Sequence, residues 1–196
     1  MSERTGIDRR YTVKFLLEDR PAHLLALSGL GSSTWDLTHA GDNPLNFCFI
    51  GAMGQAAPFA LGLAMSQPER RVVLFTGDGE LLMGLGALAT IANRAPENLA
   101  LLVMDNESYI ETGGQPTATA GPTDFEMIAK GAGITHACTI RQDDELPALR
   151  EQMLNAPGPF LAVVKVAAQA LPLVFPHSFD GVTAINRFAD AIQRSY

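Results

Sequence analysis

The sequence is poor in cysteine, in positive charge and in long apolar runs, and each shortage removes a class of function. Cys48 and Cys138 are the only two cysteines in 196 residues. That is too few for a disulfide scaffold or an iron–sulfur cluster, and no CxxC or HExxH spacing suggests zinc. Both lie inside apolar stretches, NFCFI and HACTI, and read as reduced core residues. Lysine and arginine total 14 against 21 aspartates and glutamates, a net charge of −7. A chain so short of cations has no broad basic face, which argues against binding nucleic acid. No apolar run approaches the roughly 20 residues of a membrane span. The amino-terminal MSERTGIDRRYTVKF lacks the apolar segment of a secretory signal, so a cytoplasmic location is expected.

What the chain does contain is a globular composition, 47% hydrophobic and 18% charged, enough for a sizeable core. Apolar runs at 24–29, 46–51, 71–77, 98–106, 137–140 and 160–166 read as strands. Several are apolar at every position, as strands covered on both faces of a parallel sheet must be. Helical patterns fill the gaps, at roughly 32–40, 54–66, 80–94, 124–132, 143–154 and 181–194. Asp124 is placed to cap the fourth of these, and Pro68 and Pro96 fall after helices. This alternation predicts an α/β doubly wound, mostly parallel sheet with helices on both faces. No linker or repeat divides residues 1–196, which read as a single domain with short extensions at each end. The polar stretch 107–122, ESYIETGGQPTATAGP, shows no convincing element, and a loop of that length is usually functional or mobile.

Two of the predicted strands end in chemistry. TGDG closes the run 71–77, and MDNES closes the run 98–106, with a helix-length segment between them. Ligands of open parallel sheets bind at the carboxyl ends of strands. A helix of about 20 Å over 80–94 would return the chain so that the two strand ends lie side by side. Asp78 and Asn106 can then reach one ion. A carboxylate with an amide oxygen is a hard donor pair that suits Mg²⁺ or Ca²⁺ and is poor for zinc. Mg²⁺ commonly completes its shell with phosphate oxygens. Gly77 and Gly79 would let backbone approach such a group, and the amides of Gly79 and Glu80 at a helix start would face it. Either fragment alone is a common turn or strand end; it is the pairing that points to a metal and a diphosphate.

At this point the residues resemble the thiamine-diphosphate signature, GDG followed about thirty residues on by asparagine after a hydrophobic strand. GAMGQAAPFALGLA (51–64), RRVVLFTGDGELLMGLGALATIA (70–92) and DNESYIETGGQPTATA (105–120) are similar to the diphosphate-binding half of sulfopyruvate and phosphonopyruvate decarboxylases. The resemblance implies thiamine diphosphate and Mg²⁺ as cofactors. Asp78, Asn106 and the backbone carbonyl of Ser108 would ligate the metal, with serine standing where the family usually has glycine. Gly77, Gly79, Glu80 and Tyr109 would line the cofactor site. Met53 would be the apolar wedge that keeps the cofactor bent, and the Gly51 carbonyl would accept from the aminopyrimidine amine. The cofactor carries the decarboxylation chemistry; the protein supplies geometry and a dry site.

The family also needs a glutamate at the aminopyrimidine, contributed by a pyrimidine-binding half for which this chain has no room. The resemblance therefore implies a β-type subunit that pairs with an α-type partner and also self-associates, acting on a small 2-oxo acid. A thiamine-binding subunit of a 2-oxo-acid:ferredoxin oxidoreductase, or a cofactor-binding module without turnover, are the alternatives. Glu111, Thr112, Tyr109 and Thr117 lie on the loop that would cover the substrate. Thr112 occupies the register of a catalytic carboxylate in pyruvate decarboxylases and Glu111 is one residue away, so Glu111 is either a proton carrier or a solvated loop carboxylate. The four histidines are isolated, and SGLGSS (28–33) is a partial GxG that reads as a tight turn into a helix.

Overall fold

The computed structural model describes residues 6–194. Among them, six parallel strands form the sheet: β1 Leu25–Ser28, β2 Asn46–Cys48, β3 Val72–Gly77, β4 Leu99–Asp105, β7 His136–Ile140 and β8 Phe160–Lys165. Their order is β2-β1-β3-β4-β8-β7. A short antiparallel pair, β5 Ser108–Tyr109 and β6 Gln115–Pro116, stands apart from it. β3 and β4 are buried at nearly every position, which explains their unbroken apolar runs.

Eight helices among the described residues cover the sheet: α1 Arg9–Leu17, α2 Ser32–His39, α3 Ala56–Ser66, α4 Asp78–Met83, α5 Ala87–Arg94, α6 Phe125–Ala132, α7 Leu146–Asn155 and α8 Gly181–Arg194. Side chains alternate between two cores. One face packs Leu25, Leu27, Leu74 and Leu101 against α3, α5, α6 and α8. The other packs Ala26, Val73, Phe75 and Leu102 against α1, α2 and α7. The chain leaves β1 toward β2 on one side and returns to β3 on the other, so the connections after β1 and β3 diverge. That divergence opens a crevice at the strands' carboxyl ends.

The predicted α/β alternation and each predicted strand are present, and Asp124 caps α6 by accepting from the Met127 amide at 3.0 Å. SGLGSS is indeed a turn into a helix, with Gly31 in the positive-φ region just before α2. Four expectations need correction. The helix expected over 80–94 is two helices, α4 beginning at Asp78 itself and α5 at Ala87. The break is where Gly84 passes Gly54: a Cβ on Gly84 would lie 2.0 Å from the Gly54 carbonyl oxygen. Secondly, the stretch 107–122 is ordered by the β5–β6 pair and two 3₁₀ turns rather than being featureless. Thirdly, α1 stands where the sequence pattern showed no helix; Asp8 caps it by accepting from the Tyr11 amide. Finally, Cys48 and Cys138 are free but only half-buried, at the margin of the second core. No helix among the described residues is long and apolar enough to cross a membrane.

Candidate functional site

A cavity of about 230 Å³ occupies the crevice. Its wall is built from the turn after β1 (Leu30–Ser33), the start of α4 (Gly77–Glu80), the end of β4 and the following loop (Met104, Asn106, Ser108–Thr112), and Met53, Met83 and Arg9. Gly77 pairs with Met104 in the β3–β4 register. Asp78 and Asn106, each just beyond that pair, therefore reach the same wall.

The backbone brings these residues together by close approach. A Cβ on Gly79 would lie 2.3 Å from the Tyr109 ring, so Tyr109 rests on bare backbone at the start of α4. A Cβ on Gly77 would meet nothing within 4 Å, which leaves open space beside that strand end. The contact of Gly54 with Gly84 docks the 51–55 turn onto the end of α4 and sets half-buried Met53 in the wall. Gly51 is exposed and is not part of the wall.

Asp78 is buried, and its Oδ2 takes the Thr117 hydroxyl at 2.6 Å and lies 3.2 Å from the Thr119 hydroxyl. Thr119 donates to Asp105 Oδ1 at 2.8 Å, and the two threonine oxygens are 2.8 Å apart. Two hydroxyl hydrogens serve these four contacts, and Asp105 Oδ1 also accepts the Glu107 amide at 3.1 Å. Burial pushes the Asp78 carboxyl above the usual range; the Thr117 hydroxyl opposes this and the nearby Asp105 charge adds to it. Asp105 is balanced by Lys165, whose Nζ lies 2.7 Å from both Asp105 Oδ2 and Glu107 Oε1. Although burial would lower the Lys165 pKa, these two carboxylates raise it. Asn106 Oδ1 accepts the Ser108 amide at 2.9 Å, an Asx turn that fixes the amide plane at the strand end.

Glu80 turns away from the start of α4 to the strand behind it. Its Oε2 accepts from the Leu30 amide and the Thr76 hydroxyl, both at 3.0 Å, over the Cβ-free face of Gly29. Burial pushes its carboxyl up to about 7, against those two donors and the Ala56 amide. Glu111 is exposed yet bound: the Ser32 hydroxyl donates to its Oε1 at 2.8 Å and Trp35 Nε1 at 3.2 Å. It ties the exposed loop to α2. Thr112 is exposed, its hydroxyl 3.5 Å from the Tyr109 carbonyl. Thr117, expected on the covering loop, is instead buried beneath Asp78.

Asp105, Thr119, Lys165 and Arg9 are site residues that sequence reasoning missed. The lysine at the end of the run 160–166 was a visible signal, but only the β4–β8 pairing sets Lys165 opposite Asp105.

The arrangement fits a diphosphate with a hard cation. It combines a carboxylate and an amide oxygen at adjacent strand ends, open space at Gly77, and a second buried carboxylate, Asp105, beside Asp78.

Comparison with known proteins places the chain in a family. Residues 29–164 match the family described as thiamine pyrophosphate enzyme, C-terminal TPP binding domain. The chain is 40% identical to the sulfopyruvate decarboxylase subunit beta of Methanothermobacter thermautotrophicus, over 91% of this chain and 90% of that one. It is 37% identical to the phosphonopyruvate decarboxylase of Streptomyces viridochromogenes, over 85% of this chain but only 40% of that protein. In fold it is similar to a thiamin diphosphate-dependent enzyme structure from Mycobacterium smegmatis. The TM-score is 0.71 at 24% identity, covering 84% of this chain and 32% of that one.

Proposed function

The chain belongs to the thiamine pyrophosphate enzymes, and on that footing we propose that it is the β-type subunit of a Mg²⁺-dependent decarboxylase of a small anionic 2-oxo acid, of the sulfopyruvate or phosphonopyruvate kind. The observation that carries this reading is the meeting of Asp78, Asn106, Ser108 and the open face of Gly77 on one cavity wall. Asp78 and Asn106, with the Ser108 carbonyl, would hold Mg²⁺. A divalent cation beside Asp78 would offset the burial of that carboxylate and the charge of Asp105 next to it. The amides of Gly79 and Glu80, at the start of α4, would face the diphosphate. When bound, thiamine diphosphate supplies the electron sink for loss of CO₂.

The protein's own work is positioning and exclusion of water. Met53, fixed by the Gly54–Gly84 contact, presents an apolar side chain to the cofactor rings, with the Gly51 carbonyl nearby in sequence for the aminopyrimidine amine. Tyr109, seated on Gly79, closes the wall over the start of α4. Glu111 and Thr112 stand on the loop side, where Glu111 is held by Ser32 and Trp35 and is poised to position substrate or pass a proton. The other carboxylates of the wall have posts of their own, Asp78 with its threonines and Glu80 with Leu30 and Thr76. The aminopyrimidine glutamate is therefore assigned to an α-type partner. Support for a covering chain comes from Met83, a wall residue that is 57% exposed, and from exposed Ile50 beside Gly51.

The test is cofactor binding and turnover with and without a candidate pyrimidine-binding subunit. CO₂ release from sulfopyruvate or phosphonopyruvate is expected only with both chains. Asp78→Ala should remove Mg²⁺-dependent binding of thiamine diphosphate by calorimetry while the far-ultraviolet circular dichroism is retained. Robust decarboxylation by the isolated chain, or unchanged affinity of the variant, would refute the reading.

A further inference from the structure

The cavity is expected to hold anions, yet its wall carries three carboxylates, Asp78, Glu80 and Glu111. Among the described residues of that wall there is one cation, Arg9. Arg9 belongs to α1, outside the span that matches the family, and it is only 4% exposed. Its Nε donates to Asp36 Oδ2, and Asp36 is fully buried. The other oxygen of Asp36 is taken by Arg10 Nε at 3.3 Å.

This division of Asp36 matters. A guanidinium usually meets a carboxylate through two parallel N–H bonds. Here a second arginine holds the second oxygen, so Arg9 is attached through Nε alone. Its Nη1 is buried and has no hydrogen-bond partner. Two arginines on one carboxylate leave a net positive charge beside the cavity. A buried charged donor without a protein acceptor is unfavourable, so an anion brought to this guanidinium gains a charge-assisted hydrogen bond.

Resting on the functional reading above, we infer that Arg9 is an anion-recognising residue of this cavity, donating to a charged oxygen of the bound ligands. The partner is a phosphoryl oxygen of the cofactor or the acid group of the substrate. Both present the same chemistry to a guanidinium, and binding experiments separate them.

Wild type, Arg9→Lys and Arg9→Gln are titrated as full chains with Mg²⁺ and four probes: thiamine diphosphate, phosphate-free thiamine, inorganic pyrophosphate, and phosphonoacetate at saturating cofactor. Calorimetry is read alongside the fluorescence of Trp35, the single tryptophan. Arg9→Gln should weaken anion binding by roughly 10- to 100-fold, with Arg9→Lys in between, as expected for loss of one charge-assisted hydrogen bond. Parallel losses for thiamine diphosphate and pyrophosphate identify the diphosphate as the partner; a loss confined to phosphonoacetate identifies the substrate's acid. If Arg9→Gln does not fold, Arg9→Lys carries the comparison, because it keeps a cation against Asp36. Equal affinities across all arms overturn the assignment. So does an equal loss for phosphate-free thiamine, which would mark a collapsed cavity. A wild-type chain that ignores thiamine diphosphate but binds the small anions through Arg9 would refute the functional reading alone. A wild-type chain that binds none of the probes refutes both.

Discussion

The Thr117 hydroxyl donates to Asp78 Oδ2 at 2.6 Å, and both residues are buried. A loop residue thus fixes the rotamer of the carboxylate at the start of α4, in the manner of an outer partner that orients a metal ligand. Thr117→Val removes the donor at nearly constant volume. It should lower Mg²⁺-dependent affinity for thiamine diphosphate by about tenfold and stability by about 1–3 kcal/mol. Thr117→Ser, which keeps the hydroxyl, should restore most of both. Calorimetric titration and urea unfolding measure the two effects separately; unchanged cofactor affinity in Thr117→Val would show that Asp78 does not depend on the loop.

The contact between Gly54 and Gly84 is made by backbone alone. A methyl group at Gly84 would stand 2.0 Å from the Gly54 carbonyl oxygen, with no flexible side chain to yield. Gly84→Ala should therefore push the 51–55 turn off the end of α4 and displace Met53, at a stability loss of about 1–3 kcal/mol. A Cβ on Gly86 would meet nothing within 4 Å, so Gly86→Ala is the control and should be neutral or mildly stabilising. Equal melting temperatures for the two variants would contradict the role given to the Gly54–Gly84 contact.

These two contacts mark where sequence reading runs out. The strands were legible because β3 and β4 are buried on both faces and so apolar throughout, and Asp78 and Asn106 were legible because each ends such a run. The break at Gly84 was not, since the reason for it is the backbone of a turn far back in the chain, at Gly54. α1 was hidden because its inward face includes Arg9 and Thr12 among the apolar residues, which blurs the helical pattern. Lys165 was hidden by topology. The chain visits β7 at the sheet's edge before inserting β8 beside β4, and nothing local reveals that Asp105 and Lys165 are opposite one another.

Among the described residues, Lys165 is the sole cation set against Asp105, which is 2% exposed. Removing it leaves a buried carboxylate beside Asp78 with the Thr119 hydroxyl and the Glu107 amide as donors but no cation. Lys165→Met keeps the length of the side chain and deletes the charge. Because Lys165 is itself partly exposed, the expected loss is below that of a fully buried pair, about 2–4 kcal/mol. The double variant Lys165→Met/Asp105→Asn should recover part of it. Chemical denaturation of the four proteins in this cycle gives the coupling directly, and additive losses would show that the pair contributes nothing as a pair.

Glu80 makes stability depend on pH in a direction opposite to that of most carboxylates. Burial raises its pKa to about 7 in the folded chain, against an ordinary value of 4.5. The folded state thus holds a proton more tightly than the unfolded state. The stability tied to that proton is fully present below about pH 4.5 and is lost as pH rises through about 7. In metal-free, cofactor-free protein, the Glu80 contribution should therefore fall across this window, by about 2–4 kcal/mol in total. Glu80→Gln is uncharged at every pH and keeps a carbonyl oxygen to accept from the Leu30 amide and the Thr76 hydroxyl. It should flatten the decline and leave the variant more stable than wild type at pH 8, while the two differ little at pH 4.5. Urea unfolding of both proteins from pH 4.5 to 8 checks the sign. Asp78, also raised by burial, adds a decline of the same sign in both proteins, so the difference between them isolates Glu80. A difference that is flat with pH, or that favours wild type increasingly above pH 7, would mean that the Leu30 and Thr76 donors outweigh burial at this carboxyl.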